Sequence, residues 1–160
     1  MYLQYLWTNR MKWILKKRRE KGCLICKIVN GKEKSFILKK GDIFVVMNKF
    51  PYNLGHLLVF PMRHVKNIEN LKEEEIKKVF ITLRNCIILL KKALKPKGFN
   101  IGINIGEVAS ASISHFHIHI VPRFKRDVGF MEACSLTKVM PERLHETYKK
   151  LKRFSYLLEE

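Results

Sequence analysis

Cysteine is scarce in this sequence, and its spacing does not suggest disulfide bonds. The chain has four cysteines in 160 residues, and only Cys23 and Cys26 lie close together. Small disulfide-stabilised domains have denser and more regular cysteine patterns, so we exclude a disulfide framework. A C-x-x-C motif in a chain without an export signal indicates a metal-binding or redox motif in a reducing compartment.

Long apolar runs are also absent. No window approaches the roughly 18 consecutive apolar residues that a membrane-spanning helix needs. Residues 1–22 place their charge after their apolar part and have no small-residue cleavage site, which is the reverse of a secretory signal peptide. We therefore predict a cytoplasmic protein with no membrane span. Residues 1–22 are predicted to form a basic and aromatic N-terminal arm, followed by a domain over residues 23–160.

Acidic residues are few. The chain has 14 Asp and Glu against 32 Lys and Arg, a formal net charge of +18. This excess favours an anionic partner such as a nucleotide, a nucleic acid or a membrane surface, but charge alone does not choose among them. The length predicts a single domain that is large enough to bury a core.

Histidine, by contrast, is concentrated in one short stretch, residues 114–123, which reads SHFHIHIVPR. Strict alternation of histidine with apolar residues is typical of a half-buried β-strand, because successive side chains point to opposite faces. We predict a strand over residues 114–121, with His115, His117 and His119 on one face and the apolar residues in the core. Three imidazoles on one face indicate a metal site, a catalytic site, or both.

The remaining pattern predicts an α+β domain: one antiparallel sheet of about five strands, a long helix packed on it, and a C-terminal helix. Strand-like runs occur near residues 36–38, on either side of the loop at 49–55, and at 99–104. Apolar residues recur at helical spacing from residue 72 to 95, after a capping-box-like Asn70 and Glu73. Residues 141–158 predict the C-terminal helix.

The cysteines and histidines together suggest a metal site. Cys23, Cys26, His64 and His115 supply the ligand set of a closed tetrahedral zinc site, which would attach the N-terminal segment to the sheet. The alternative is that the C-x-x-C motif holds two reduced, buried thiols. Spacing alone does not decide between these two interpretations.

The other histidines suit phosphate chemistry. His117 and His119 share the polar face, and His56 opens a strand that could lie beside them. Neutral imidazole is a nucleophile at neutral pH, and a protonated neighbour stabilises phosphoryl charge. The small residues between Asn104 and Ser112 form a loop whose backbone N–H groups could approach phosphate oxygens.

SHFHIHIVPR resembles the His-x-His-x-His motif of the histidine triad (HIT) family of nucleotide hydrolases and transferases. The resemblance extends to CLICKIVNG at 23–31, FPYNLGHLLVFPMRHV at 50–65 and GFNIGINIG at 98–106. The stretches LWTNRMKWI at 6–14 and GFMEACSLTKVMPERLHETYKKL at 129–151 are similar to the branch that includes diadenosine tetraphosphate phosphorylases. The resemblance implies a HIT-like fold and a homodimer.

The resemblance also implies roles for individual residues. His117 matches the nucleophile, which forms a nucleotidyl-histidine intermediate, and His119 and His56 match positions that bind the phosphate or orient the nucleophile. The implied nucleotide-binding residues are Asn48 for the ribose, Ile25, Ile28 and Met47 for the base, and Asn104 and Ser112 for the phosphates. In members that have a C-x-x-C motif, the residues matching Cys23, Cys26, His64 and His115 hold a structural zinc ion.

Three functions therefore follow from the sequence. The first is an enzyme that cleaves a phosphoanhydride, with diadenosine tetraphosphate as the expected substrate and either phosphate or water as the acceptor. The second is a zinc-containing basic module that binds nucleotides or RNA without turnover, suggested by the net charge of +18 and the basic run at 16–19. The third is a metal hydrolase in which all three strand histidines bind a catalytic ion.

Overall fold

The computed structural model describes residues 22–109, 111–125, 127 and 140–159. Residues 1–21 of the predicted N-terminal arm lie outside the described residues, as do residues 129–139 of the family-like stretch at 129–151. Among the described helices, none combines the length and the apolar character that crossing a bilayer requires.

The described chain forms one sheet and three α-helices. The helices are α1 (Leu24–Val29), α2 (Glu73–Leu94) and α3 (Leu144–Lys152), and the strands are β1 (Ile37–Lys39), β2 (Ile43–Met47), β3 (Leu57–Pro61), β4 (Gly98–Gly102) and β5 (Ile118–Arg123). Short 3-10 turns lie at Ile68–Asn70, Glu107–Ala109 and Ser155–Leu158. The predicted α+β class is confirmed.

The sheet has five strands in the order β1-β2-β3-β5-β4, and every neighbouring pair is antiparallel. β5 therefore lies between β3 and β4, with Leu58 opposite His119 and Gly102 opposite His119 on the other side. This register places the last histidine of the run in the middle of the sheet, next to the strand that follows His56.

Both faces of the sheet are covered with apolar side chains. One cluster packs beneath α2 and includes Val45 and Val59 of the sheet with Val79, Leu83 and Leu90 of the helix. The second cluster lies on the opposite face and is formed by Ile25, Ile28, Phe44, Val46, Leu58 and Phe60. The short helix α1, for which the sequence pattern gave no assignment, covers this second face.

β5 begins later than expected. The predicted strand covered residues 114–121, whereas the observed strand is Ile118–Arg123. Upstream of it, the N–H of Phe116 donates to the carbonyl of Val65, which follows β3, instead of joining the ladder of β5. The predicted alternation of faces still holds, because Phe116, Ile118 and Ile120 belong to the cluster beneath α2.

The ends of three other elements also differ from expectation. β4 ends at Gly102 and not at residue 104, and the C-terminal helix is α3 followed by a separate 3-10 turn. The predicted cap of the long helix at Asn70 and Glu73 was wrong. The N-cap is Lys72, whose N–H donates to Oε2 of Glu75 at 2.9 Å, so the capping interaction falls two residues later.

A glycine with a left-handed backbone lets the loop before β3 approach α2. Gly55 has φ +76°, and a Cβ placed there would lie 2.5 Å from Cδ1 of Leu94. Only glycine avoids both the backbone strain and this overlap. Since Gly55 immediately precedes His56, the close approach also determines where His56 enters the sheet.

Candidate active site and metal centre

The backbone carbonyl of His115 orients the imidazole of His117. Nδ1 of His117 lies 2.7 Å from this carbonyl oxygen, which can only accept a hydrogen bond. Nδ1 must therefore bear the ring proton in the neutral imidazole, and Nε2 keeps the lone pair. His117 is 6% exposed. A neutral imidazole with its lone pair on Nε2 can act there as a nucleophile.

His56 and His119 form a second hydrogen-bonded pair. The backbone N–H of Tyr52 donates to Nδ1 of His56 at 3.0 Å, so the neutral His56 ring bears its proton on Nε2. That nitrogen lies 3.0 Å from Nδ1 of His119, and Nδ1 therefore accepts. His119 is left with its own proton on Nε2. The rings of His117 and His119 are 4.8 Å apart between centroids, so the two imidazoles are direct neighbours.

His56 is completely buried, whereas His119 is half-buried. Tyr52 covers the pair from outside, with its ring 5.0 Å from that of His56 between centroids and nearly parallel to it. A buried histidine cannot readily exchange protons with solvent. The geometry therefore suits His119 for direct contact with a phosphate and His56 for holding the tautomer of His119.

The four predicted metal ligands converge. One ligand atom from each of Cys23, Cys26, His64 and His115 lies within 4.8 Å of the other three. Nδ1 of His115 is 3.5 Å from Sγ of Cys23 and 3.7 Å from Sγ of Cys26, and Nδ1 of His64 is 3.3 Å from Sγ of Cys26. Two sulfur and two nitrogen ligands form a set typical of tetrahedral zinc.

The protonation chemistry of this cluster suits a metal ion. Nε2 of His115 lies 3.0 Å from the carbonyl oxygen of Pro61 and donates to it, which leaves Nδ1 with the lone pair toward the sulfurs. Burial lowers the pKa of His115 to about 4, so its imidazole is neutral. Burial, with the adjacent Cys23 thiol, raises the pKa of Cys26 to about 11. A thiolate here therefore needs a neighbouring positive charge, which a divalent metal supplies.

An apolar cavity of about 330 Å³ lies on the same face of the sheet as the histidines. Its walls include Ile25 and Ile28 of α1, both predicted from the sequence, and the predicted ribose-binding residue Asn48 borders it. Asn48 also contacts His56, since its Nδ2 lies 3.4 Å from Nδ1 of that ring. Asn48 thus joins the cavity to the histidines. The volume lies within the range of small-ligand pockets.

Met47 takes a different position from the one expected. It borders the cavity but packs with the cluster beneath α2, because it alternates with Val46 along β2. Several other lining residues are not among those predicted from the sequence. They belong to the second cluster or pack beside it: Leu24, Val46, Leu58, Phe60 and Ile113. Their strand alternation could have identified them, since all of those in β2 and β3 share the face of His119.

The two predicted phosphate-binding residues flank the loop before the histidine run. Asn104 lies two residues after β4 and is half-buried, and Ser112 is exposed and lies three residues before His115. Ser110, between them, is outside the described residues. The phosphate-binding roles of Asn104 and Ser112 stay predictions.

The geometry does not favour the metal hydrolase with three strand histidines. His115 faces the cysteines, while His117 and His119 direct Nδ1 to the carbonyl of His115 and to His56. The fold and the histidine arrangement instead agree with a family match: residues 30–126 match the model of the HIT domain. The chain belongs to the HIT family.

Individual relatives agree with this assignment. An AP-4-A phosphorylase of Mycobacterium tuberculosis is 35% identical over 121 residues, which is 74% of this chain and 62% of that protein. An uncharacterized HIT-like protein of Saccharolobus solfataricus is 36% identical over 69% of this chain and 80% of its own length. A solved structure of a zinc-bound histidine triad family protein from Mycobacterium smegmatis superposes with a TM-score of 0.70 at 25% identity, covering 86% of this chain and 96% of that one.

Proposed function

We propose that this protein cleaves a phosphoanhydride bond of a dinucleoside polyphosphate through a nucleotidyl-histidine intermediate on His117. The observation that supports this most directly is the 2.7 Å contact between Nδ1 of His117 and the carbonyl of His115, because it leaves the lone pair on Nε2. The neighbouring His56–His119 pair and the adjoining apolar cavity of about 330 Å³ also support it.

In the first step, Nε2 of His117 attacks the phosphorus that carries the nucleoside. The N–P bond forms, and the bond from phosphorus to the bridging oxygen breaks. As the bridging oxygen departs, the N–H at Nε2 of His119 donates a hydrogen bond to the departing phosphate and stabilises its negative charge, and His56 holds His119 in the tautomer that offers this N–H. In the second step, phosphate or water attacks the same phosphorus, the N–P bond breaks, and His117 is released with its lone pair on Nε2. The proton of the attacking phosphate or water passes to solvent.

The substrate would lie between the cavity and the histidines. Ile25 and Ile28 would pack against the base, with Met47 at the edge of the cavity, and Asn48 would bind the ribose. Asn104 and Ser112 would contact the phosphates. Diadenosine tetraphosphate is the proposed substrate, supported by the similarity to a protein named AP-4-A phosphorylase, although this chain spans 62% of that protein's length.

The cluster of Cys23, Cys26, His64 and His115 would hold zinc, supported by its ligand geometry and by the zinc-bound relative of similar fold. In this role zinc supplies a structural link between α1 and the histidine run. We also propose a cytoplasmic homodimer, with residues 1–22 as an N-terminal arm and residues 23–160 as the histidine triad domain.

The experiment that tests this function incubates the full chain with diadenosine tetraphosphate, with and without inorganic phosphate, and identifies the products. ADP and ATP that appear only with phosphate indicate phosphorolysis, and AMP and ATP without phosphate indicate hydrolysis. If neither pair forms while the nucleotide still binds, the protein is not this enzyme. The alternative of a nucleotide- or RNA-binding module, suggested by the net charge of +18, is then favoured.

A further inference from the structure

His115 connects the metal cluster to the proposed nucleophile. Its side chain faces the cysteines, with Nδ1 3.5 Å from Sγ of Cys23. Its backbone carbonyl faces the other way and accepts the hydrogen bond from Nδ1 of His117 at 2.7 Å. One residue therefore belongs to the ligand set and also fixes the tautomer of His117.

The position of His115 is tightly constrained. Its ring nitrogen Nε2 donates to the carbonyl of Pro61, and its backbone N–H donates to the carbonyl of Ile113 at 2.8 Å. The following peptide is also held, because the N–H of Phe116 donates to the carbonyl of Val65 at 2.6 Å. His115 is 1% exposed, so its ring has little space in which to move alone. A shift of the ring is therefore transmitted to the backbone carbonyl.

The carbonyl matters because a neutral imidazole has two tautomers. With the proton on Nδ1, the nucleophilic lone pair is on Nε2. With the proton on Nε2, the nitrogen that should attack phosphorus has no lone pair to offer. The energy of one hydrogen bond corresponds to a population ratio of about tenfold between such states. Displacing the carbonyl of His115 would therefore reduce the reactive fraction of His117.

We propose that His115 is a positioning residue for His117, and that zinc bound by Cys23, Cys26, His64 and His115 holds His117 in its reactive tautomer. The inference rests on the proposed function, because it takes His117 to be the nucleophile and zinc to be the ion. It adds a catalytic consequence to a site that would otherwise only stabilise the fold.

The test follows the ring nitrogens of His117 by long-range ¹H–¹⁵N NMR in uniformly ¹⁵N-labelled full-length protein. His117→Gln assigns the signals. With zinc bound, His117 should show mainly the Nδ1–H tautomer. After removal of zinc by a chelator, both tautomers should appear, and kcat should fall in proportion to the lost Nδ1–H fraction, about two- to tenfold, with KM nearly unchanged.

His64→Ala provides a milder perturbation, because His64 is exposed and contributes one ligand without belonging to the His115–His117 connection. Zinc titration of this variant should shift the tautomer ratio of His117 in parallel with zinc occupancy. His145→Ala, which removes an exposed histidine in α3, is the matched control and should leave the ratio unchanged. If the chelator unfolds the unsubstituted protein, this zinc titration still tests the inference.

A tautomer ratio of His117 that stays constant while zinc occupancy changes in folded protein overturns this inference. That result leaves the proposed function intact if the product assay shows cleavage of diadenosine tetraphosphate. Conversely, a zinc-dependent tautomer without any cleavage would contradict the proposed function and support the positioning role of His115. The tautomer measurement and the product assay therefore test the positioning role of His115 and the proposed function independently.

Discussion

Nε2 of His56 lies 3.0 Å from Nδ1 of His119, and Tyr52 fixes the direction of this hydrogen bond by donating its backbone N–H to the other nitrogen of His56. The completely buried His56 thus fixes the tautomer of the half-buried His119. His119 keeps its own proton on Nε2, because His56 donates to its other nitrogen. This relationship leads to the first prediction.

Substituting His56→Ala should lower kcat by about tenfold with a small change in KM, because His119 loses the hydrogen bond that fixes its tautomer. His56→Gln retains an amide donor and should recover part of the loss. Tyr52→Phe, which keeps the backbone N–H and the stacked ring, should stay within a few-fold of the unsubstituted enzyme. Steady-state kinetics on circular-dichroism-checked protein measures all three. A His56→Ala variant with normal kcat would rule out the role given to this pair.

Substituting His117→Ala should reduce turnover by at least about 10³-fold, because the intermediate cannot form without the nucleophile. Zinc content and the unfolding midpoint should change little, since His117 is not among the four clustered ligands. His145→Ala is the control for loss of a histidine. Rapid-quench mass spectrometry should detect a nucleotidylated peptide containing His117 in the active enzyme. A label on His119 instead would show that the nucleophile has been misassigned.

Substituting Ile28→Asn should raise KM about tenfold and leave kcat nearly unchanged. Ile28 is 8% exposed in the wall of the apolar cavity, and a polar side chain there weakens the packing that a nucleobase would make. Ile88→Asn is a matched change on the exposed surface of α2 and should have no effect on KM. If both variants leave KM unchanged, the base does not bind in this cavity.

Substituting Gly55→Ala should destabilise the protein by about 2–4 kcal/mol, since a positive φ and an overlap with Leu94 act together. Gly31→Ala separates the two causes. Gly31 has φ +69° but nothing within 4 Å of the added Cβ, so its substitution should cost only about 1 kcal/mol. Urea unfolding measures both free energies. Equal losses of unfolding free energy in the two variants would show that the contact of residue 55 with α2 is unimportant.

The Glu75 carboxylate makes stability depend on acid pH. Its hydrogen bonds with Arg63, at 2.9 and 2.6 Å, lower its pKa from 4.5 to about 2. Because the folded-state pKa is the lower one, the contribution is complete above pH 4.5 and is lost as the pH falls toward 2.

Glu75→Gln should therefore reduce the pH dependence of the unfolding free energy between pH 5 and 2 by about 1 kcal/mol, a modest value because Arg63 is partly exposed. Glu74→Gln, which alters an exposed pair with Lys77, should leave the pH profile nearly unchanged. Denaturant titrations at several pH values give the profile. A Glu75→Gln profile parallel to that of the unsubstituted protein would contradict the assignment.

Much of the fold could be predicted from the sequence because its periodic signals are strong. The alternation in SHFHIHIVPR places Phe116, Ile118 and Ile120 in the core as observed, and the helical spacing from Val79 to Leu90 predicts α2. The six residues of α1 gave no such signal, because so short a helix is formed by packing on the second face of the sheet and not by its own periodicity.

The site was only partly accessible to sequence reasoning. The sequence predicts a metal-ligand set, and the structure brings its four members together: Cys23, Cys26, His64 and His115. The tautomer of His56 depends on the backbone N–H of Tyr52, and that of His117 depends on the backbone carbonyl of His115. A pattern of side chains does not predict where such backbone groups lie. Likewise, the sequence does not distinguish Val46 and Phe60 from ordinary core residues. Their place in the cavity wall depends on α1, which packs on the same face of the sheet.

The alternating run in β5 also protects the site from misfolding. A slip of β5 by one residue against β3 would turn His119 into the core beneath α2 and move Ile118 and Ile120 out of that core, onto the face of the histidine site. Losing the burial of two isoleucines would cost about 3–6 kcal/mol, which is comparable to the stability of a small domain. Ile118 and Ile120, which flank His119, therefore fix the register of β5, because the alternative register loses their burial beneath α2.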